Sequence, residues 1–303
     1  MRARSSGFIL VSVLLSTMLL ITAATGFAWF ASTEAKRVAA RENILKCRGV
    51  AEIAVYDVGR RIADDKNKYD SLTEPLYAPG QETKIKIGDY EVTAKITPLD
   101  DKISVNALLL PDGVTIRKEY ETAWTKIWDE LGRPELAAAV IDFMDKDEKQ
   151  KLGGAEREGS INRPVSDIYE LKGLPEMEDA VLWGTKKKPV GLDRYLRAYG
   201  GQKININVAP PEMIEKLDEG LTLSHAKSIA AYRILSPLKS GDDLKRVPGF
   251  PPALVTKLAN VVGYESTCFL VRMSVKEASG RARNYKITLE RAGGGCRVLN
   301  WEE

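Results

Sequence analysis

Histidine and cysteine, which build most zinc sites and nucleophilic catalytic sites, are scarce in this sequence of 303 residues. It has one histidine, His225, and three cysteines, Cys47, Cys268 and Cys296. A structural zinc site needs about four nitrogen or sulfur ligands, so these few residues argue against one. Ser–His–Asp and Cys–His catalytic arrangements need a histidine held beside the nucleophile. The sequence shows no such arrangement, and we expect that the chain is not an enzyme.

An excess of charge of either sign is also missing. Lysine and arginine number 45 against 42 aspartates and glutamates, which gives a formal net charge of +3. Nucleic-acid binding by bulk electrostatics relies on accumulated positive charge. The overall balance therefore predicts no nucleic-acid partner. The length and the ordinary composition predict a folded protein with at least one substantial core.

Charge is absent altogether from residues 5–33, and within this stretch residues 8–31 read FILVSVLLSTMLLITAATGFAWFA. About 20 apolar residues suffice for a helix to cross a bilayer. Arg2 and Arg4 precede the run and favour a cytoplasmic N-terminus. The alternative is a cleavable signal peptide, whose apolar run is roughly 7–15 residues long and ends in small residues. This run is longer and passes through Trp29, so the sequence predicts a retained anchor.

Helical periodicity continues beyond the apolar run. Apolar residues recur at spacings of three and four at Ala40, Ile44, Cys47, Ala51, Ala54, Val58 and Ile62. No proline occurs before Pro75, so a single helix is predicted to run from the membrane to about residue 65. The alternative is a separate core helix after a kink at Gly49 or Gly59.

The N-terminal segment resembles the leader of type IV pilins and pseudopilins. It has a short basic leader ending in Gly7, then Phe8, then an apolar helix that continues into a soluble domain. The resemblance implies that a prepilin peptidase cuts after Gly7 and methylates the new amino terminus of Phe8. Most members carry glutamate at the fifth mature position, where this chain has Ser12. That glutamate pairs with the subunit above it in the filament, so Ser12 resembles the residue of a tip subunit.

Strand patterns lie at two separated places in the chain. Residues 84–97 alternate apolar and polar side chains, and strand character returns in CFLVRMSV, NYKITLERA and CRVLNW after residue 267. Residues 103–262 between them have helical spacing. The predicted domains are a leader (1–7), a transmembrane and amphipathic helix (8–65), a sheet domain in two parts (66–102 and 263–303) and an inserted helical domain (103–262).

Four motifs in the insert resemble one pilin-like family, the K family of minor pseudopilins of type II secretion. They are ISVNA at 103–107, IDFMDKDEKQKLGGAE at 141–156, NRP at 162–164 and KININVAPP at 203–211. The resemblance implies an α+β fold, with a type IV pilin-like long N-terminal helix on a small antiparallel sheet and a large all-α insertion. It also implies a non-catalytic role at the tip of the pseudopilus, where the subunit starts assembly and supports protein export across the outer membrane.

The resemblance further implies the location and partners of the chain. It is expected in the bacterial inner membrane as a single-pass protein, with a cytoplasmic N-terminus and a periplasmic soluble domain. The implied partners are the minor pseudopilins I and J, the major pseudopilin, the inner-membrane assembly platform, the prepilin peptidase and the secreted substrate. The helical stripe from Ala40 to Ile62 is expected to pack against neighbouring subunits.

The acidic segment 141–156 admits two interpretations. Calcium takes six to eight oxygen ligands, and Asp142, Asp145, Asp147 and Glu156 lie close together in sequence. The segment departs from the EF-hand pattern, and the residues alone favour a solvated helix end whose acids are neutralised by lysines. These lysines are Lys146, Lys149 and Lys151. The family resemblance instead implies bound calcium, with the four acidic residues as its ligands.

Residues 221–262 resemble a helix-hairpin-helix element, with Val247-Pro-Gly-Phe250 as the hairpin. Such hairpins offer backbone amides to DNA phosphates, and Lys245 and Arg246 lie nearby. Asp242 and Asp243 stand beside these cations, whereas phosphate binding depends on accumulated positive charge. A packing or protein-contact role is therefore favoured. The alternative function is a membrane-anchored DNA-uptake receptor.

Cys268 and Cys296 both fall in the strand-rich C-terminal part on the expected exported side. Disulfides form in oxidising compartments. The two residues are therefore a candidate disulfide, while Cys47 on the apolar helix stripe is expected to pack.

Overall fold

A long helix begins the structure, a computed structural model that describes residues 4–277 and 282–303. Helix α1 spans Arg4–Ala63 without interruption, which confirms the prediction of one continuous helix and places its end two residues before the predicted position. Arg60 and Arg61 lie in its last turn, where their positive charges interact favourably with the negative end of the helix dipole. The chain divides into two compact units, residues 1–52 and residues 53–303. The first unit consists of α1 up to Glu52.

The second unit contains a five-stranded antiparallel sheet. Its strands are β1 (Thr83–Ile87), β2 (Tyr90–Pro98), β7 (Cys268–Glu277), β8 (Arg283–Ala292) and β9 (Gly295–Glu302). Their order across the sheet is β1-β2-β7-β8-β9. The predicted segment 84–97 therefore forms a hairpin of two strands rather than one, with Gly88 at a positive φ of 56° in its turn.

Buried and exposed side chains alternate along the strands, so one face of the sheet is apolar and the other is polar. In β2 the side chains of Val92, Ala94 and Ile96 are buried, and they lie opposite Val275, Met273 and Val271 of β7. These apolar cross-strand pairs stabilise the register, because a slip of one residue exposes the whole apolar set. The residues between them, such as Lys95 opposite Arg272, face solvent.

The insert lies between β2 and β7 and is built from short elements. Its helices are α2 (Glu121–Leu131), α3 (Leu136–Met144), α4 (Asp179–Trp183), α5 (Pro211–Lys216), α6 (Leu223–Leu235), α7 (Gly241–Leu244) and α8 (Leu254–Leu258). Four 3₁₀ turns span Val105–Ala107, Lys118–Tyr120, Ile168–Gly173 and Leu192–Arg194. The predicted all-α insert also contains two parallel pairs of two-residue strands, β3 (Ile103–Ser104) with β4 (Leu196–Arg197) and β5 (Ile204–Asn205) with β6 (Val262–Gly263).

One contiguous apolar core fills the insert. It includes Tyr120, Trp124, Trp128 and Tyr195, all of them buried. The Trp124 and Trp128 rings meet edge to face with centroids 5.4 Å apart, an arrangement that aromatic pairs favour. A core of this extent explains how short helices persist, since packing of an apolar face supplies most helical stability in proteins.

Buried polar residues hold the insert to the sheet. Asp100, just after β2, accepts hydrogen bonds from the backbone N–H groups of Gly201 (2.7 Å) and Thr267 (2.6 Å). Asn205 donates its amide to the carbonyl of Asp70 and to the Ser266 hydroxyl, each at 2.9 Å. The KININVAPP segment therefore has a structural role at this seam.

Candidate functional site

The acidic segment begins where α3 ends. Asp142 lies in the last turns of α3 and Asp145 follows directly after it, and both side chains are buried. Gly154 folds back against them so closely that a Cβ there would lie 2.0 Å from Asp142 Oδ2. The chain thus closes a tight acidic loop at 142–156.

Three oxygen atoms in and beside this loop are buried without a hydrogen-bond partner among the described residues. They are Oδ1 of Asp145, Oε2 of Glu156 and Oδ1 of Asn162. Buried polar atoms are almost always paired, so each orphan oxygen indicates a missing partner. Carboxylate and amide oxygens are the ligands that calcium prefers. The residues present therefore match calcium in ligand type, while no three carboxylates of this loop bring their oxygens within 4.8 Å of one another in the part of the chain that the structure describes.

Asn162 is the part of this arrangement that the sequence analysis missed. Its backbone adopts a positive φ of 45°, which is uncommon outside glycine. Its N–H donates to the carbonyl of Phe143 (3.2 Å), which carries its side chain to the end of α3. The signal for it in the sequence is the NRP motif at 162–164.

Lysine also reaches the acidic loop. The Lys151 ammonium forms an ion pair with Oδ2 of Asp145, and its backbone N–H donates to both oxygens of Asp142 at 3.1 Å. Asp147 lies nearer the surface and accepts from the Lys149 backbone N–H (3.1 Å). The predicted neutralisation by lysine thus has a structural basis at Lys151.

The electrostatics of the loop reflect its acidity. Burial raises the pKa of Glu156, and the neighbouring charges of Asp145, Asp142 and Asp147 raise it further. Burial also raises the pKa of Asp145, although Lys151 opposes that shift. Shared negative charge of this kind is the condition that a bound cation relieves. The ligand prediction for Asp142, Asp145, Asp147 and Glu156 stays a prediction.

A second acidic group lies in the loop after α1, where oxygens of Asp65, Asp70 and Glu74 approach within 4.8 Å of one another. Asp70 is already neutralised by Arg291, with Nη2–Oδ1 2.9 Å, and it accepts from the Ser266 backbone N–H (2.5 Å). This group is therefore a structural junction between the loop and β8.

The helix-hairpin-helix element carries its cations in ion pairs. Lys245 Nζ lies 2.7 Å from Asp242, and Arg246 Nη1 lies 3.1 Å from Asp243. The hairpin glycine, Gly249, has a positive φ of 77° and an open side. These internal pairs reduce the positive charge that a phosphate backbone would require.

The predicted disulfide between Cys268 and Cys296 is wrong for this structure, in which both thiols are free. Cys268 lies on β7 opposite Glu290 of β8, whereas Cys296 lies on β9 opposite Arg291. The two cysteines are therefore two strands apart, about 10 Å at the usual strand spacing. A disulfide needs Cα atoms closer than about 7 Å. They also occupy opposite faces, since successive residues on a strand alternate.

The processing residues lie at the start of α1. Gly7 and Phe8 are helical and exposed, and cleavage between them stays a prediction. One helix of the described chain, 7–63, is long and apolar enough to cross a membrane, with a mean hydropathy of 2.3 over its best window. The Ser12 hydroxyl donates to the carbonyl of Ile9 (2.9 Å), so it satisfies its hydrogen bond within the helix.

The apolar stripe predicted to contact neighbouring subunits requires a correction. Its members from Cys47 onward (Cys47, Ala51, Ala54, Val58 and Ile62) are fully buried within the chain, so they are not available to another subunit. Ala40 is exposed and Ile44 is half-buried, so the prediction stays open for these two residues. The α1 side chains that are large, apolar and exposed beyond the membrane segment form a different set: Val38, Leu45, Ile53 and Tyr56, between 59% and 72% exposed. At about 100° per residue they fall within an arc of about 80°. We call these four residues the outer stripe.

Comparisons with known proteins address the fold. A family model described as a helix-hairpin-helix motif matches residues 200–262, a longer segment than the 221–262 predicted. None of the curated proteins matches the chain in sequence. The chain is similar to one in the crystal structure of the GspK-GspI-GspJ complex from the type 2 secretion system of enterotoxigenic Escherichia coli.

That similarity extends over nearly the whole of both chains. The TM-score is 0.60 at 15% identity, and the match covers 88% of this chain and 98% of the other. This chain combines a long helix, an antiparallel sheet and an insert with the helix-hairpin-helix motif. The chain therefore has a pilin-like α+β fold, like that of a subunit in a type 2 secretion complex.

Proposed function

We propose that this protein is a minor pseudopilin of the K family, which acts in type II secretion by assembling with other subunits rather than by catalysis. The observation that carries the proposal is the combined architecture: a helix that can span a membrane, a five-stranded sheet and a large insert between β2 and β7. The similarity to a chain of the GspK-GspI-GspJ complex supports it.

The proposed location is the bacterial inner membrane, with residues 8–31 as the single span. Arg2 and Arg4 favour a cytoplasmic N-terminus, and with that orientation the sheet and the insert would lie in the periplasm. A prepilin peptidase would cut after Gly7 and methylate Phe8. Ser12 in place of the usual glutamate supports a position at the tip of the pseudopilus.

The proposed partners are minor pseudopilins I and J, and the outer stripe is the surface offered to them. Exposed apolar side chains aligned on one helix face are typical of helix–helix contacts. The major pseudopilin, the assembly platform and the secreted substrate are further proposed partners. The insert is the part of the chain that would meet the substrate.

Co-purification tests this function. Full-length protein expressed with pseudopilins I and J and extracted in detergent is expected to elute as one complex. Leu45→Glu, on the outer stripe, is expected to reduce the bound partners severalfold, since it places a charge in an apolar contact. Lys36→Glu is the matched control, because Lys36 is exposed on the opposite side of the same helix. Elution of the native chain without either partner would contradict the proposal.

The alternative of a DNA-uptake receptor is not favoured, because aspartates pair with the cations beside the hairpin. A gel shift with the full-length protein in detergent discriminates the two functions. We expect no shifted band at low micromolar protein. Salt-sensitive DNA binding at that concentration would favour the receptor.

We propose that the acidic loop binds calcium, held by Asp142, Asp145, Asp147 and Glu156 with Asn162 beside them. The ion would satisfy the orphan oxygens and tie the end of α3 to the returning chain. The melting temperature of the full-length protein in detergent is expected to be several degrees higher with calcium than with chelator. Superimposable melting curves and an absence of metal in elemental analysis would refute it.

A further inference from the structure

Lys151 brings a positive charge into the acidic loop from within the chain. Its ammonium pairs with Oδ2 of Asp145, and its backbone N–H donates to both Asp142 oxygens. The Asp145 side chain is 0% exposed and the Lys151 side chain is 25% exposed. The lysine therefore reaches inward from the surface to a fully buried carboxylate.

A buried carboxylate needs a counter-charge, because an unpaired charge is costly to remove from water. Within the described residues, Lys151 is the cation that forms an ion pair with Asp145. Lys149 lies two residues away in the same loop and is exposed, and its backbone N–H bonds to Asp147. The two lysines thus differ in the contact that each makes with the acidic side chains.

One oxygen of Asp145 is paired and the other is not. Oδ2 meets the Lys151 ammonium, while Oδ1 has no partner within the described chain, and neither has Oε2 of Glu156 nor Oδ1 of Asn162. A divalent ion held by the unpaired oxygens would lie next to the ammonium group that shares the same carboxylate. Two cations a few ångströms apart repel each other strongly in a partly buried site.

We propose that Lys151 is an internal counter-cation of the acidic loop that competes with calcium for Asp145. This inference rests on the proposed calcium site. Without the metal, the lysine keeps the loop closed over Asp145. When calcium binds, the ammonium leaves for solvent, which its flexible stem and partial exposure allow. The lysine thereby stabilises the metal-free loop and weakens the affinity for calcium.

Lys151→Met is the informative variant, because methionine keeps an unbranched side chain and lacks the charge. We expect it to melt at a lower temperature than the native protein in chelator, since Asp145 loses its counter-charge. We expect its calcium affinity to be about tenfold tighter, the ratio that corresponds to about 1.4 kcal/mol. Calcium should therefore raise its melting temperature more than that of the native chain.

The experiment compares four full-length proteins in detergent: native, Lys151→Met, Lys151→Arg and Lys149→Met. Calorimetric titration with calcium chloride gives the affinities, and thermal melting in chelator gives the metal-free stabilities. Lys149→Met should match the native protein in both. Lys151→Arg keeps the charge, so it should keep the weak affinity and the metal-free stability, and it serves as the second test if Lys151→Met does not fold.

The possible outcomes separate this proposal from the calcium site itself. If Lys151→Met binds calcium and the native chain binds it more weakly or not at all, the result supports competition between Lys151 and calcium. Equal affinities and equal metal-free melting in Lys151→Met and the native protein would overturn the proposal while leaving the calcium site in place. An absence of binding in all four proteins would refute the calcium site, and competition at Lys151 with it.

Discussion

Arg291 of β8 and Asp70 of the loop after α1 form a two-point ion pair, with Nη2–Oδ1 2.9 Å and Nη1–Oδ2 3.1 Å. Asp70 is fully buried, and the Arg291 guanidinium lies over the Phe269 ring at 5.0 Å from its centroid. The two residues are 221 positions apart in the chain. Their contact therefore holds the loop that follows α1 against the C-terminal part of the sheet.

Removing the charge of Asp70 should destabilise the protein strongly. Asp70→Asn keeps the size of the side chain but leaves Arg291 partly buried without its counter-charge, a loss of about 3–5 kcal/mol. Asp57→Asn is the control, because it breaks the exposed Asp57–Arg61 pair, which contributes about 0.2–1 kcal/mol. Urea unfolding of the full-length protein in detergent measures both. Equal midpoints for the two variants would contradict this role of Asp70.

The seam at Asp100 leaves no room for a side chain at position 201. A Cβ on Gly201 would lie 2.2 Å from Thr267 Oγ1 and 2.5 Å from Asp100 Oδ2. Gly201→Ala must therefore displace the buried carboxylate from its donors, and we expect a loss of about 1–3 kcal/mol in the free energy of unfolding. Gly295→Ala is the control, since a Cβ there meets its nearest atom at 4.0 Å. A stability for Gly201→Ala equal to that of the control would refute the close packing at this seam.

The cysteines should be recovered as thiols. Mass spectrometry of the protein, unfolded and alkylated without reductant, is expected to show Cys47, Cys268 and Cys296 all labelled. β8 separates the last two and the sheet holds them on opposite faces. A peptide pair linked through Cys268 and Cys296 would contradict the register described here.

Burial gives Cys268 a measurable pH dependence. It raises the pKa of that thiol from 9.0 to about 12, so the folded state holds a proton that the unfolded state releases at lower pH. The free energy of unfolding should therefore fall as pH rises from about 9 towards 12. Cys268→Ala removes this contribution. Its free energy of unfolding, measured with urea, should fall less steeply between about pH 8 and 10.5 than that of the native protein. An identical decline in both proteins would exclude Cys268 as its source.

The N-terminus offers a test of processing. Mass spectrometry of membrane-extracted protein is expected to show a methylated Phe8 as the first residue. Gly7→Leu should retain Met1, whereas Gly26→Leu should be processed normally. Both glycines lie in α1, and a Cβ at either position would meet no atom within 4 Å, so a difference between the variants reports recognition rather than folding. An intact Met1 in the native protein would contradict cleavage after Gly7.

Local pattern was sufficient to predict much of the fold. The uncharged run, the three- and four-residue spacing up to Ile62 and the alternation around Val92 each depend on neighbours within a few residues. These patterns were enough to predict α1 and the positions of the strand segments. The hairpin at Gly88 was missed because the alternation of β1 and β2 reads continuously across a two-residue turn.

Long-range pairing was beyond such patterns. The contact of Arg291 with Asp70 and the separation of Cys268 from Cys296 depend on strand order, which spacing alone does not specify. The part of the helix stripe from Cys47 to Ile62 was misassigned for a related reason. Apolar residues at helical spacing form the same pattern whether they pack inside the chain or against a partner. Asn162 was missed because its role depends on where residue 143 places it.

The insert leaves and rejoins the sheet at neighbouring points, since Pro98 lies opposite Phe269 and the Leu99 N–H donates to the Cys268 carbonyl (2.8 Å). The two ends of the insert therefore lie side by side, held by the same hydrogen bonds that pair β2 with β7. Insertions whose ends lie close together are well tolerated, because they leave the host fold intact. The size and sequence of the insert can therefore change with little effect on the pairing of the strands on either side of it.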